Sequence, residues 1–159
     1  MSEATDYKKH WTGIVILLGV FLVVINLVET NLVLNQFISP PLNIKLEDWL
    51  VYYQIIAYSG LGISILTVGF WYYWGTNLVK VYTGSDLQKA TGRWWQLFGC
   101  LAIVFLVSLF LTSAQEGVWI ADLFYVINIL GFYYLATVWF SPVSVMDCPP
   151  GATKLRFIR

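Results

Sequence analysis

Few residues in this chain could do chemistry, and Glu29 stands out among them. It sits in the apolar run WTGIVILLGVFLVVINLVETNLVLNQ, 18 residues after Trp11, which on a helix is roughly 27 Å along the axis. A carboxylate inside a membrane is costly and marks a functional site by default, although the cost falls near the interface. Two readings follow: a role in cation handling or in a subunit contact, or a carboxylate that reaches headgroup water. Asn26 lies three residues earlier, which on an α-helix places it on the same face as Glu29. Asp122 stands near the start of a later apolar run, at the same side of the membrane, with Asn128 deeper in that run and Gln54 early in the second run. Glu116 lies in the connection just before. Together these groups could line an outward-facing polar pocket. The bland alternative is interhelical hydrogen bonding, at roughly 0.6 kcal/mol per bond.

Other chemistries find no complete set of residues. His10 is the only histidine, and it stands beside Lys8 and Lys9, far from the acids expected at the outer face. A metal site needs two or more converging ligands, so none is expected of this chain alone. No Ser-His-Asp arrangement can be built with His10, and no Gly-rich phosphate loop occurs. No catalytic residue is expected. Cys100 and Cys148 form no C-x-x-C pair and read as a membrane-packed thiol and a free tail thiol. Nucleic-acid binding is not expected, because there is no basic run and no recognisable module.

The elements that must position these groups are membrane helices. The chain has 159 residues, 58% hydrophobic and 11% charged, where a soluble domain has about 25% charged. About 20 apolar residues span a bilayer. Four runs are long enough, at about 11–36, 49–74, 94–112 and 118–140. The first is too long for a signal-peptide core and lacks a cleavage site. The expected architecture is an all-α, four-helix transmembrane bundle over 11–141, with tails at 1–10 and 142–159. Ser39, Pro40 and Pro41 should stop the first span. Gly60, Gly62 and Ser64 in the second span would let a neighbouring helix approach closely. Ser85 to Gln88 reads as a capping box, which starts the third helix near Asp86, outside the membrane. Spans 3 and 4, joined by a short loop, should be antiparallel neighbours.

Aromatic residues gather at the span ends: Trp11, Trp49, Tyr52, Tyr53, Trp71 to Trp74, Trp94, Trp95, Trp119, Trp139 and Phe140. They read as belts at the headgroup level. Lys8, Lys9, Lys80, Lys89, Arg93, Lys154, Arg156 and Arg159 fall on one side and Lys45 alone on the other. By the positive-inside rule both termini are cytoplasmic in a plasma membrane. Glu29, Glu47, Asp48, Glu116 and Asp122 then gather at the outer face, where they could raise the local concentration of cations. The tail basics would rest against anionic lipid, at roughly 1 kcal/mol each.

Several of these landmarks resemble the N-terminal part of the C subunit of copper membrane monooxygenases, the methane and ammonia monooxygenases. Trp11-Thr12-Gly13 opens span 1, with Glu29 near its outer end. Ser59-Gly60-Leu61-Gly62 occurs in span 2, and a polar inner connection precedes span 3. Span 3 ends in FLTSAQEGVW (110–119), similar to the family's FFTEQDGTWH. The family continues with a histidine and an Asp-x-x-x-His ligand motif. Here Ile120 follows Trp119, and Asp122 has Val126 where the histidine would stand. The resemblance therefore implies a companion chain that does not hold the copper, which would reside in partner subunits. The expected function is a non-catalytic accessory subunit of a larger membrane enzyme complex. Its partners would be other membrane subunits and the lipid bilayer, with structural lipids and no cofactor of its own. The alternative is a small oligomeric transporter or channel using Asn26, Glu29, Gln54 and Asn128 as its path. An enzyme acting on lipid or quinone lacks a nucleophile, base or metal set.

Overall fold

The computed structural model describes residues 3–38, 40, 44–77, 84–112 and 119–155. Among the described residues the chain is all-helical, with no strand. Four helices are long and apolar enough to cross a membrane. α1 covers 3–34, as Glu3–Val23, a wide π turn Val24–Glu29, and Thr30–Leu34. α2 is Leu46–Asn77 and α3 is Gly84–Thr112. α4 covers 119–140, as Trp119–Val126, a π turn Ile127–Gly131, and Phe132–Phe140. A short 3-10 turn Val143–Val145 and a last helical turn, α5 (Ala152–Leu155), close the chain.

The boundaries differ from the sequence reading in instructive ways. α1 begins at Glu3, so its first turns lie in what reads as a polar tail. It stops at Leu34, before any proline. Gln36 takes a left-handed conformation, φ 62°. Its N–H meets the Val33 carbonyl at 3.0 Å, and the Ile38 N–H meets the Leu32 carbonyl at 3.1 Å. These bonds take up carbonyls that a helix end would otherwise leave bare. The 113–118 connection, with Glu116, and Pro41, Lys80, Arg156 and Arg159 lie outside the described residues.

The two π turns suit the spacing of the buried side chains. In α1 they are Leu17, Phe21, Ile25, Glu29 and Val33, one every four residues. On an α-helix each such step overshoots a full turn by about 40°, so the stripe would wind off the bundle. A wide turn absorbs the excess. The Thr30 N–H accordingly reaches back five residues to the Ile25 carbonyl. α4 has a comparable run, Ala121, Tyr125, Ile129, Tyr133 and Thr137, with Asn128, Phe132, Ala136 and Val138 buried beside it. There the Phe132 N–H reaches the Ile127 carbonyl. α2 carries period-four runs as well, Trp49–Tyr53–Ala57–Leu61 and Gly60–Ser64–Val68–Tyr72, and stays a regular helix, so the spacing suits a wide turn without dictating one.

α4 is the hub. It packs against α1, α2 and α3, and its membrane window is the most enclosed of the four, while that of α3 is the least. α3 and α4 are neighbours, as their short connection requires. Gly60 is the close-approach point of α2, since a Cβ there would lie 2.6 Å from the Ile129 side chain. Ser64 donates to the Ile129 carbonyl at 2.8 Å, inside the π turn of α4. Gly62 meets nothing within 4 Å and takes no part in this packing.

Several aromatics assigned to the belts are core residues instead. Trp49, Tyr53, Trp71, Tyr72 and Trp94 are buried, while Trp11, Tyr52, Tyr73 and Trp95 are exposed. Spacing along the helix gave their depth, but rotation about the axis decides which of them face inward. Trp94 Nε1 donates to Thr137 Oγ1 at 2.9 Å, and Trp71 Nε1 donates to Ser141 Oγ at 2.8 Å. The segment after α4 is docked rather than loose. Ser144 Oγ donates to the Gly75 carbonyl at 2.6 Å, and Tyr134 OH donates to the Pro150 carbonyl at 2.9 Å. Cys148 in the tail is outside any disulfide, as expected, but it is buried, whereas Cys100, expected to be packed, is exposed on this chain.

Candidate functional site

The site forms where the two π turns meet. The wide turn of α1 ends at Glu29, and the wide turn of α4 carries Asn128. Both side chains are fully enclosed. Asn128 Nδ2 donates to Glu29 Oε1 at 3.0 Å and to Oε2 at 3.2 Å. From α2, Tyr53 OH donates to Glu29 Oε2 at 2.5 Å. Three helices thus converge on one carboxylate. A reach to headgroup water, one of the readings for Glu29, is corrected here: the side chain has no exposed surface. Nor does Glu29 share the exposed surface of Glu47 and Asp48.

Around this contact lies a shell of aromatic rings. Tyr53 stacks on Tyr125 of α4, with centroids 5.2 Å apart and planes at 27°. Trp49 leans on Tyr53 at 6.2 Å. Asn128 Oδ1, Tyr125 OH and Trp49 Nε1 are buried with no hydrogen-bond partner among the described residues, as is Tyr133 OH further along α4. Native interiors leave few such groups, and each calls for an explanation.

A second polar group sits on the outside of the α1–α2 seam. Tyr58 OH donates to Asn26 Oδ1 at 2.6 Å, and Asn26 Nδ2 donates to the Leu22 carbonyl at 2.8 Å. Gln54 Nε2 donates to Thr30 Oγ1 at 3.1 Å, and Thr30 Oγ1 donates to the Ile25 carbonyl at 3.0 Å. Asn26 and Tyr58 are exposed, while Gln54 and Thr30 are half-buried. Asn26 and Glu29 therefore point to different faces. Their three-residue spacing puts them together only on an α-helix, and this stretch is a π turn.

The residues of interest thus fall into two groups. The structure brings Glu29 and Asn128 together inside the bundle. Asn26 and Gln54 lie on its outer seam, so these four do not line one common path. Asp122 is half-buried in the first turns of α4, three residues before Tyr125. Glu47 and Asp48 are exposed at the start of α2. Gly60 and Ser64 serve packing within the bundle. Tyr53 and Tyr125 are functional candidates missed from sequence. Their i, i+4 relation to the buried stripe was the available signal, but position near a span end read as belt.

Chemically, a carboxyl hydrogen-bonded to a phenol and an amide can hold a positive charge or pass a proton. No basic side chain among the described residues bonds to Glu29. No cluster of three or more His, Cys, Asp or Glu forms among them either. No family model matches this chain, and neither a curated protein nor a solved structure gives a significant match.

Proposed function

We propose that this chain is a non-catalytic accessory subunit of a larger membrane enzyme complex, set in the plasma membrane with both termini cytoplasmic. One observation carries the reading: the polar ladder on the outer side of the α1–α2 seam. Asn26 and Tyr58 face outward at membrane depth, where the neighbour is either lipid tails or another protein. Asn26 and Tyr58 bond to each other and to the Leu22 carbonyl, but an amide and a phenol are still costly on a surface that faces lipid tails. Helices of a second subunit would cover them, and polar side chains serve as interhelical glue in membranes. The cytoplasmic placement of the termini rests on the lopsided distribution of Lys and Arg.

The copper membrane monooxygenase complex is the named candidate, on the landmarks from Trp11 to Trp119. In that assembly copper belongs to partner subunits, since Ile120 and Val126 stand where the family has histidines. This chain packs its helices, with structural lipids, around the catalytic subunits and completes the lipid seal. A photo-crosslinker at Tyr58 tests the reading, followed by mild-detergent extraction, native electrophoresis and mass spectrometry. The expected product joins this chain to a larger metal-binding membrane subunit. Crosslinks to lipid alone, with the chain migrating by itself, would overturn it.

The rival is a small oligomeric transporter or channel. The observation in its favour is the pair of π turns flanking Glu29 and Asn128, because transporters bind ions where helices depart from α geometry. A self-oligomer that moves solute in liposomes would decide for it.

A further inference from the structure

We propose that Glu29, Asn128 and Tyr125 form a binding site for one monovalent cation, reached from the outer end of α4. The first argument is charge. Glu29 has no exposed surface, and its partners, Tyr53 and Asn128, are neutral. A carboxyl in so dry a place either keeps a proton or, once ionised, needs a compensating positive charge. No described side chain supplies it.

The second argument is the set of oxygens left over. Asn128 offers both carboxylate oxygens its nitrogen, while its own Oδ1 is buried and unpartnered. The two ends of an amide exchange places by a half-turn of its last torsion. Turned that way, Oδ1 faces two carboxylate oxygens, an arrangement that only a positive charge between them makes favourable. Tyr125 OH is equally buried and unpartnered, on a ring stacked against Tyr53. Both hydroxyl and amide oxygens are hard donors suited to alkali ions. A single carboxylate balances one positive charge. Calcium and magnesium draw on more carboxylates, bound water or phosphate, so the charge count selects a monovalent ion.

The third argument is access. Asp122, Tyr125 and Asn128 succeed one another at intervals of three along α4, from the half-buried outer turn to the enclosed carboxylate. A carboxylate at the mouth raises the local concentration of cations. This site stands or falls independently of the accessory-subunit reading, because it needs only this chain.

The test uses the full chain purified in mild detergent. Thermal unfolding is followed in sodium chloride against choline chloride at equal ionic strength, and radioactive sodium binding gives the stoichiometry. Sodium should raise the midpoint saturably, with one ion per chain, and Glu29→Gln should abolish the rise. Tyr125→Phe should raise the half-saturating sodium concentration roughly threefold to tenfold, the value of one hydrogen-bond-like contact. If Glu29→Gln does not fold, the wild-type stoichiometry and the Tyr125→Phe shift still decide. Equal midpoints in sodium, potassium, lithium and choline, with no bound sodium, would overturn the proposal. So would a midpoint that follows pH alone, since Glu29 then holds only a proton.

Discussion

Glu29 and Tyr53 show what a single hydrogen bond is worth in the dry part of this bundle. Tyr53→Phe keeps the ring and its stack on Tyr125 but strips one donor from a wholly buried carboxylate. Leaving a buried polar group short of a partner costs about 1–3 kcal/mol, and more when it is charged. Unfolding in detergent micelles should show a loss of at least that size. Tyr58→Phe removes a comparable bond to Asn26 on the exposed seam. Membrane hydrogen bonds of that kind average about 0.6 kcal/mol, so the same measurement should show a smaller loss. If the two variants were equally damaging, the inner contact would not be special. Glu29 itself was legible from sequence, because an intramembrane acid is rare. Its partners were not. Tyr53 sits near a span end, where a tyrosine reads equally well as belt or core, and only the rotation of α2 settles it.

At the scale of the element, the two π turns decide which side chains meet. Hydropathy located α1 and α4 well, yet it cannot register an extra residue within a turn. A stripe with a period of four was present, but α2 carries such runs without a wide turn, so the period does not mark where a helix widens. Deleting Val28, which is exposed within the wide turn, removes the surplus residue, so α1 should return to regular geometry with the helix on either side kept in place. Only the residues of the turn itself then shift, and Glu29, at its end, loses its aim at Tyr53 and Asn128. The deletion should therefore destabilise the bundle at least as much as Tyr53→Phe does in the same assay. The small-residue patch of α2 is a simpler case. A methyl at Gly60 would collide with the buried Ile129 side chain, so Gly60→Ala should cost about 1–3 kcal/mol. Gly62 has open space around it. Gly62→Ala should be neutral or should stabilise by up to about 1 kcal/mol through helix propensity. Sequence marked both glycines alike, because a patch of small residues does not say which one touches a neighbour.

For the whole molecule, the four-helix bundle was legible because membrane spans announce themselves by length and composition. The docked segment after α4 was not, since its contacts depend on where α2 ends in space. Val145 is buried there, and Ser144 reaches the end of α2 at Gly75. Val145→Asp should release the segment and quicken maleimide labelling of Cys148, with Ser144→Ala doing so more weakly. The proposed orientation makes a further prediction: a reporter fused after residue 159 should read as cytoplasmic, and one inserted at residue 116 as external. The clasp made by Trp71, Ser141, Ser144 and Gly75 fastens α2 to the far end of α4. Away from that clasp, α1 near its C-terminal end and α4 at its middle each carry a surplus residue in a turn that lacks regular α bonding. A rod pinned at its foot and loosened partway along bends at the loosened turn. Mechanical give in this molecule is thus concentrated beside the enclosed carboxylate, so a neighbour pressing on the outer turns would be felt there first.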